Sequence, residues 1–204
     1  MDERLDVLDE LGRPTGKVAW KSVAHRRGLW HRAFHCWISD GEYLLVQRRA
    51  PRKELWPGRL DVTAAGHLRA GEEVMDGLRE LEEELGLRVE PERLVFLGTR
   101  RMVLREPGRF ERELQEVYLL PDPTPPGSLR LQPEEVAAVV RLHLEAVERV
   151  FAGETVAGEE WRDGACREVP VRLEDFIPDG DAYTLRVARA ARALASGELP
   201  GEIF

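Results

Sequence analysis

The feature that most constrains this chain is the stretch formed by residues 66–87, where a loop rich in small residues runs into a short amphipathic helix that ends at Gly86. Positions i, i+3 and i+4 of a helix share one face. Leu78, Leu81 and Leu85 have that spacing and make an apolar stripe that a core can cover. The pattern predicts one short helix packed on the core, around which the other elements are arranged.

Three glutamates have the same spacing on this helix, namely Glu80, Glu83 and Glu84. Without a partner, each pair of carboxylates about 5 Å apart costs roughly 3 kcal/mol at an effective dielectric of about 20. A divalent cation such as Mg²⁺ or Mn²⁺ removes that repulsion, because carboxylate oxygens are the ligands it prefers. The alternative is an exposed acidic face, where each like-charged pair costs only about 0.2–0.5 kcal/mol and Arg79 pairs with Glu83.

The residues around these glutamates resemble the Nudix box, whose pattern is Gly-x5-Glu-x7-Arg-Glu-apolar-x-Glu-Glu-x-Gly-apolar. Gly66 and Glu72 match the first half, and residues 79–87 match the second half in full. Six residues separate Glu72 from Arg79, whereas the family has seven. Because so many positions match at fixed spacing, the motif is specific. The resemblance implies hydrolysis of a nucleoside or other organic diphosphate linked to a second group, X.

The resemblance also implies a role for each matching residue. Glu80, Glu83 and Glu84 would bind Mg²⁺, with Mn²⁺ as the other candidate ion, and the backbone carbonyl of Gly66 would be a further ligand. A glycine at that position lets the main chain approach closely. Arg79 would hold the carboxylates in place. A carboxylate that is not used as a ligand can take a proton from the attacking water as general base, and Glu83 is one candidate for that role.

Glu116 is the candidate general base outside the helix. In a strand, Glu116 and Leu114 share a face and Glu113 points the other way. Members of the Nudix family often place an extra glutamate in a later strand or loop. The alternative is a strand residue that faces solvent, so the choice between Glu83 and Glu116 stays open.

Composition limits the class of partner. A length of 204 residues suits one domain with an elaboration, and 43% hydrophobic residues are enough for its core. The net charge of −8 argues against a nucleic-acid polymer or an anionic membrane as the main partner, but not against a phosphorylated small molecule. Cys36 and Cys166 form no Cys-x-x-Cys pair, which predicts a reducing cytoplasm. The charged N-terminus lacks the apolar segment of a signal peptide, and no apolar run approaches the ~20 residues of a membrane helix.

Alternation and turn residues predict a mixed α/β sandwich. The predicted strands are 4–9 and 17–19, which form an N-terminal hairpin, then 32–39, 43–48, 60–66, 94–104, 113–120 and 136–142. The predicted helices, besides the central one, are 20–27 and 145–152. The Nudix resemblance implies the same fold, an α/β/α sandwich over about residues 30–152. Residues 1–152 are therefore expected to form the Nudix domain together with its N-terminal hairpin.

Residues 153–204 are an addition to that domain. They are expected to form a hairpin of 155–161 with 165–173, followed by an Arg/Ala-rich helix at 181–195. This extension either packs on the sandwich, or acts as a lid or as the arm of a homodimer. The sequence leaves these alternatives open.

A second resemblance covers residues 20–70, which contain Leu-Trp-His-Arg-Ala-Phe, Trp-Pro-Gly and Ala-Gly-His and are similar to isopentenyl-diphosphate isomerase. That enzyme shares the fold and uses a histidine/glutamate metal site, to which His25, His31 and His67 would correspond. Taken singly, each of these positions favours a core or surface histidine over a metal ligand, and the sequence leaves open whether the three form a second metal site. The isomerase has its catalytic cysteine directly before the Gly-His pair, where this chain has Ala65. Moving a double bond needs a proton donor, so the sequence favours an isomerase-like branch of the Nudix family that hydrolyses instead.

Four residues are candidates for binding the substrate. Arg48 and Arg49 belong to a basic cluster that can hold phosphates, although both cannot point inward from one strand. Trp56 can stack on a base or lie on an apolar tail, and His67 follows Gly66 directly. Ordinary surface charge and a packed tryptophan are the alternatives. A non-catalytic module that binds diphosphates remains as the third function, beside hydrolase and isomerase.

Overall fold

In the computed structural model, which describes residues 2–204, those residues form eleven strands and four α-helices. The strands are β1 (Arg4–Leu8), β2 (Pro14–Trp20), β3 (Trp30–Ser39), β4 (Tyr43–Arg49), β5 (Leu60–Asp61), β6 (Ala64–His67), β7 (Val95–Glu106), β8 (Arg109–Pro121), β9 (Val136–His143), β10 (Val156–Arg162) and β11 (Ala165–Val171). The helices are α1 (Lys21–Arg27), α2 (Arg79–Leu85), α3 (Leu144–Phe151) and α4 (Tyr183–Ala195). A 3₁₀ helix, Val74–Leu78, directly precedes α2.

The sheet is mixed. Its main path runs β11-β10-β9-β4-β3-β1-β2, while β8 pairs with β3 and with β7. The β3–β8 pair is parallel, from Trp30 opposite Arg112 to Ser39 opposite Pro121, and the other pairs between named strands are antiparallel. The sheet does not close on itself, and helices cover it. The predicted α/β sandwich with a mixed sheet is therefore confirmed.

The central strand β3 is buried on both of its faces. Its side chains alternate, as they do in any strand. The side chains of one face pack beneath α2 against Leu81 and Leu85, and they are Phe34, Cys36 and Ile38. Trp37 packs in the other core, beneath α3 and α4. The apolar stripe predicted for α2 is thus covered, since Leu81 and Leu85 are fully buried.

The predicted strand at 60–66 is divided in two. β5 pairs with β4, whereas β6 pairs with β3, so the chain passes from one strand to the other between them. Thr63 lies at the crossing, where its hydroxyl donates to the carbonyl of Leu45 and accepts from the backbone N–H of Ile38 at 3.0 Å. This one side chain satisfies backbone groups of both neighbouring strands. The crossing brings β6, and Gly66 with it, against β3.

The residues after 152 extend the same sheet and share its core. β10 pairs with β9, with Glu160 opposite Val140. α4 packs against α3, and its Tyr183 and Val187 lie in the core that contains Trp37. The backbone N–H of Ile203 donates to the carbonyl of Leu97 at 2.7 Å, which fixes the C-terminal residues against β7. Within residues 2–204, no helix is long and apolar enough to cross a membrane.

Candidate active site

A cavity of 860 Å³ opens beside α2, over the face of β3 that carries its odd-numbered side chains. Its walls come from α2, from the end of β6, from the loop between β4 and β5, and from residues 177–184 before and within α4. Glu80, Glu83 and Glu84 all line it, as do Ala65 and Gly66. The structure therefore brings the helix carboxylates and the glycine together, at a place that a small molecule can reach.

The close approach of β6 to α2 requires a glycine at position 66. A Cβ atom added there would lie 2.1 Å from Cδ of Glu80, which is far inside van der Waals contact. Glu84 is 5% exposed, and one of its carboxylate oxygens accepts from the backbone N–H of Ala65 at 3.3 Å. Glu83, in contrast, is exposed to the cavity. The three carboxylates thus range from buried to accessible along one short helix.

Burial and neighbouring charge raise the pKa of two carboxyl groups of α2. Burial raises the pKa of Glu80 to about 7, and burial together with the charge of Glu80 raises the pKa of Glu84 well above its usual value. Among residues 2–204 no basic side chain makes an ion pair with Glu84. Carboxylates that lie near the backbone of Ala65 and Gly66 in β6 suit a divalent cation. A bound cation would favour their ionised forms. The donor set fits Mg²⁺ or Mn²⁺.

Arg79 ties α2 to the loop before it. Its guanidinium donates to the carbonyl of His67 at 2.8 Å, to the carboxylate of Glu72 at 3.1 and 3.3 Å, and to Glu80. Arg79 reaches Glu72 although only six residues separate them, where the Nudix box has seven. The segment between them contains a 3₁₀ helix, Val74–Leu78. A 3₁₀ helix rises about 2.0 Å per residue instead of about 1.5 Å, so fewer residues span the same distance.

A second group of possible ligands lies around His67 at the end of β6, and two of its members, His67 and Glu113, also line the cavity. His25 of α1, His31 of β3, His67 of β6 and Glu113 of β8 each place a nitrogen or oxygen atom within 4.8 Å of the others. We call these four residues the histidine cluster. The Nε2 atoms of His25 and His31 are buried and have no hydrogen-bond partner in the described part of the chain. Two unpartnered nitrogens in one buried cluster indicate a cation site.

The surroundings of His31 fix which of its ring nitrogens is free. Nδ1 of His31 lies 2.8 Å from the carbonyl of Leu29, which only accepts, so that nitrogen carries the proton and Nε2 keeps its lone pair. Nδ1 of His25 lies 2.9 Å from the carboxylate of Glu111, which accepts, and 3.0 Å from the guanidinium of Arg109, which donates, so these contacts do not select one tautomer of His25. Burial lowers the pKa of His31 to about 4, so its ring is neutral at pH 7.

Glu113 completes the cluster as an anion. Burial alone would raise its pKa, but the hydrogen bond with His67 at 3.2 Å and the other imidazoles hold the pKa well below its usual value. Burial also lowers the pKa of His67. Neutral imidazoles with one carboxylate are the ligands that Zn²⁺ and Mn²⁺ take. The donor set fits a transition-metal ion.

Glu116, the predicted alternative base, does not reach the cavity, and this corrects the interpretation of β8. Its carboxylate accepts from the hydroxyl of Thr99 at 2.9 Å and lies 3.8 Å from Arg32, on the opposite face of the strand. The cavity face of β8 carries Glu113 and Gln115 instead. Glu113 and Glu116 lie on opposite faces of β8, as predicted, and it is the face of Glu113 that meets the cavity. The face depends on how β8 packs against β3, which is a contact between distant parts of the chain.

Arg48 and Arg49 point in opposite directions. Arg48 does not line the cavity, and it binds Glu160 of β10 at 2.5 Å and the carbonyl of Gly58 at 3.0 Å. Arg49 lines the cavity and donates to Asp61 at 2.8 Å. Trp56 also lines the cavity, in the loop after β4. Its φ of 47° is unusual for a bulky residue and marks a constrained loop.

A family model described as the NUDIX domain matches residues 29–159 of the chain, which is more than half of its length. The chain belongs to the Nudix family. It is thus a hydrolase of a family that acts on nucleoside diphosphate-linked substrates and generally uses divalent metal ions.

Relatives of this Nudix hydrolase carry two kinds of name. A protein of Clostridium acetobutylicum named as an uncharacterized Nudix hydrolase is 32% identical over 201 residues, which are 93% of this chain and 97% of that protein. An isopentenyl-diphosphate Delta-isomerase of Paenarthrobacter aurescens is 34% identical over 137 residues, 66% of this chain and 73% of the isomerase. A crystal structure of a Deinococcus radiodurans protein aligns with a TM-score of 0.54 and 26% identity, over 74% of this chain and 91% of that one. The resemblance to both branches seen in the sequence is confirmed.

Some residues of this Nudix site were missed by the sequence reasoning. Glu111 and Glu113 were not assigned to the site, although Glu-x-Glu-x-Gln at 111–115 alternates in a way typical of one polar strand face. The wall formed by residues 177–184 was not foreseen as part of the cavity. The sequence carries little sign of this, because residues 177–184 reach the cavity only through the packing of α4 against α3.

Proposed function

We propose that this Nudix hydrolase cleaves the pyrophosphate bond of an organic diphosphate linked to a second group X, using Mg²⁺ or Mn²⁺ bound at α2. The observation that carries the proposal is that Glu80, Glu83 and Glu84 line one wall of a cavity large enough for a nucleotide, with Glu80 packed against the backbone of Gly66. The bound ion would neutralise phosphate oxygens and favour attack by water on phosphorus.

Different residues of the site would bind the ion, accept the proton and bind the substrate. Glu84 and Glu80 are buried enough to be fixed ligands, whereas the exposed Glu83 can both touch the ion and accept the proton of the attacking water. Arg79 positions Glu80 and holds the carbonyl end of β6 in place. Arg49 faces the cavity and suits a phosphate oxygen, because a guanidinium matches phosphate geometry. Trp56 provides an aromatic surface for X.

The histidine cluster would hold a second ion. His25, His31, His67 and Glu113 belong to four different elements, so an ion there would join them. His67 connects the two centres, because it follows Gly66 in β6 and its carbonyl accepts from Arg79. The second ion would therefore stabilise the β6 backbone on which the α2 site depends.

Isomerisation of isopentenyl diphosphate is the second candidate function. The histidine cluster and the isomerase relative favour it. Ala65 argues against it, since a methyl group cannot donate a proton. Cys36 does not replace the missing acid, because it is fully buried on the α2 side of β3 and burial raises the pKa of its thiol.

A panel assay tests the proposal. The protein, stripped of metal with a chelator and then given Mg²⁺ or Mn²⁺, is incubated with nucleotide sugars, dinucleoside polyphosphates, coenzymes and prenyl or thiamine diphosphates. We expect metal-dependent release of phosphate or of a nucleoside monophosphate from at least one of them. Conversion of isopentenyl to dimethylallyl diphosphate without phosphate release would support the isomerase instead. Tight binding without either reaction would indicate a non-catalytic module.

Other parts of the proposal concern the whole protein. Residues 1–152 would form the catalytic unit, and residues 153–204 would complete the far wall of its cavity. A small-molecule diphosphate would be the partner, in preference to a nucleic-acid polymer or a membrane. A cytoplasmic location and the homodimer stay predictions.

A further inference from the structure

His35 lies on β3 outside the histidine cluster and has no role in the mechanism above. It shares a strand face with Ala33 and Trp37, lines the cavity and is 8% exposed. Across the β3–β6 pair its direct partner is Ala65, the residue before Gly66. Side chains of directly opposed strand residues lie about 5 Å apart. The imidazole of His35 therefore stands next to the place where the diphosphate would bind.

A chain of hydrogen bonds fixes the proton of this imidazole. The indole N–H of Trp37 donates to the hydroxyl oxygen of Tyr183 at 2.9 Å. That hydroxyl lies 3.1 Å from Nδ1 of His35. An indole nitrogen only donates, so the oxygen of Tyr183 accepts from it. Among the described residues the hydroxyl has no acceptor other than Nδ1 of His35, so its own proton points to Nδ1. Nδ1 is then the acceptor, and Nε2 carries the ring's proton.

The Nε2–H group has no partner among the residues that the structure describes. Within residues 2–204, His35 makes its hydrogen bond through Nδ1 alone. Burial lowers the pKa of His35 to about 4, so the ring is neutral at pH 7 and offers this single donor. The nitrogen differs from the closed-off Nε2 atoms of His25 and His31, because His35 opens onto the cavity. A donor in this position needs an acceptor from a ligand or from water.

The polar neighbours of His35 are already paired. Arg100 donates twice to Asp181, at 2.7 and 2.8 Å, and once to Gln115 at 2.7 Å. The amide of Gln115 donates in turn to Glu113 at 2.8 Å. These contacts hold Arg100 and Gln115 in one polar wall of the cavity. His35 stands on this wall with an Nε2 atom that makes no hydrogen bond to the described residues.

We propose that His35 is a specificity-determining residue, whose Nε2–H donates a hydrogen bond to an oxygen or nitrogen acceptor of group X, and that Tyr183 is the positioning residue that keeps the proton on Nε2. The inference rests on the proposed hydrolase function. Group X is then a polar group such as a sugar or a nucleobase. A hydrocarbon chain would leave the buried donor without a partner.

Substitutions test the contact with two substrates, ADP-ribose, whose X carries acceptors, and geranyl diphosphate, whose X has none. We expect His35→Leu to lower kcat/KM for ADP-ribose about 10-fold and to leave geranyl diphosphate within about twofold. His35→Gln keeps an N–H donor and should recover most of the loss. Tyr183→Phe should raise KM for ADP-ribose about 3-fold with little change in kcat, while Ser196→Ala, which removes a hydroxyl from the far end of α4, serves as its control. Equal effects on both substrates, or no effect on either, would overturn the inference.

Nitrogen NMR of the wild type gives a readout that needs no substitution in β3. With ¹⁵N-labelled histidine, His35 should show a protonated Nε2 and an unprotonated Nδ1, and Tyr183→Phe should convert this to a mixture of tautomers. A protonated Nδ1 in the wild type would contradict the inference. If the wild type cleaves no diphosphate, the proposed function fails by itself. His35 is then tested by adding ADP-ribose, which must shift its Nε2 resonance, and an unmoved resonance overturns the inference.

Discussion

The two candidate metal centres of this protein are built in opposite ways. The α2 site takes Glu80, Glu83 and Glu84 from one seven-residue helix and opens onto the cavity. The histidine cluster takes its four residues from α1, β3, β6 and β8, and its free nitrogens are buried. Carboxylates favour hard ions such as Mg²⁺, whereas imidazoles favour Zn²⁺ and its neighbours. One fold therefore places an open candidate site on a helix beside an enclosed candidate site that is built from four elements.

The largest effect is expected at the α2 site. Glu83→Gln should lower kcat by about 10³-fold, because the amide can neither bind the ion well nor take a proton from water. The matched control is Glu82→Gln, since Glu82 is exposed and pairs with Arg88 away from the cavity. Steady-state kinetics and far-ultraviolet circular dichroism check the pair. Near-normal turnover of Glu83→Gln would move the chemistry off this helix.

The next prediction concerns the histidine cluster. His31→Ala should weaken Zn²⁺ binding at this site about 10²-fold, because it removes one of the free buried nitrogens. Metal content after dialysis against Zn²⁺ should fall by one ion per chain. His143→Ala is the control, since that histidine lies at the N-terminus of α3. An unchanged zinc content in His31→Ala would reduce the cluster to ordinary packing.

A smaller effect is expected on the thermal stability of the metal-free protein, and it concerns Glu84 of the α2 site. Burial raises the pKa of Glu84, so its ionised form is penalised in the folded protein, and metal-free stability falls as the pH rises above the usual glutamate value. Glu84→Gln removes this penalty and should raise the Tm of the metal-free protein at pH 8 by about 3–6 °C. It should also abolish the further rise that Mg²⁺ gives the wild type. Differential scanning calorimetry with and without Mg²⁺ measures both, and a lower Tm in the metal-free variant would contradict the account.

The smallest effect is expected at Glu116, which lies on the other face of β8. Glu116→Gln should change kcat/KM by less than about twofold, because its partners are Thr99 and Arg32 rather than the substrate. Glu113→Gln, on the cavity face of the same strand, provides the comparison and should weaken Zn²⁺ binding. A loss of 100-fold or more in kcat/KM for Glu116→Gln would show that Glu116 takes part in catalysis although it lies on the face of β8 opposite the cavity.

The contrast between the centres also explains what could be read from the sequence. Helical spacing fixes the relation between residues three and four positions apart, so the face shared by Glu80, Glu83 and Glu84 was predictable from the sequence alone. The histidine cluster needs strand order, because the parallel pairing of β3 with β8 places Glu113 opposite His31. Its residue types were visible as candidates, but their convergence was not.

The error at Glu116 has the same origin. Alternation predicted correctly that Glu113 and Glu116 face opposite sides, but nothing local says which side meets the cavity. The division of the strand at 60–66 is also non-local, because the hydroxyl of Thr63 bridges two strands that are distant in sequence. The lengths and boundaries of single elements were therefore predicted better than the pairing of strands within the sheet.

The alternation of β3 has a consequence for changing this protein. Deleting one residue within Trp30–Ser39 would rotate the rest of the strand by half a repeat, so that His35 and Trp37 would exchange sides with the residues beneath α2. No compensating substitution elsewhere could restore both cores at once. Pro107 and Gly108 form the exposed turn between β7 and β8, where added residues lengthen the connection instead of shifting side chains along a strand. Epitope tags and insertions should therefore be placed there, and the length of β3 should be left untouched.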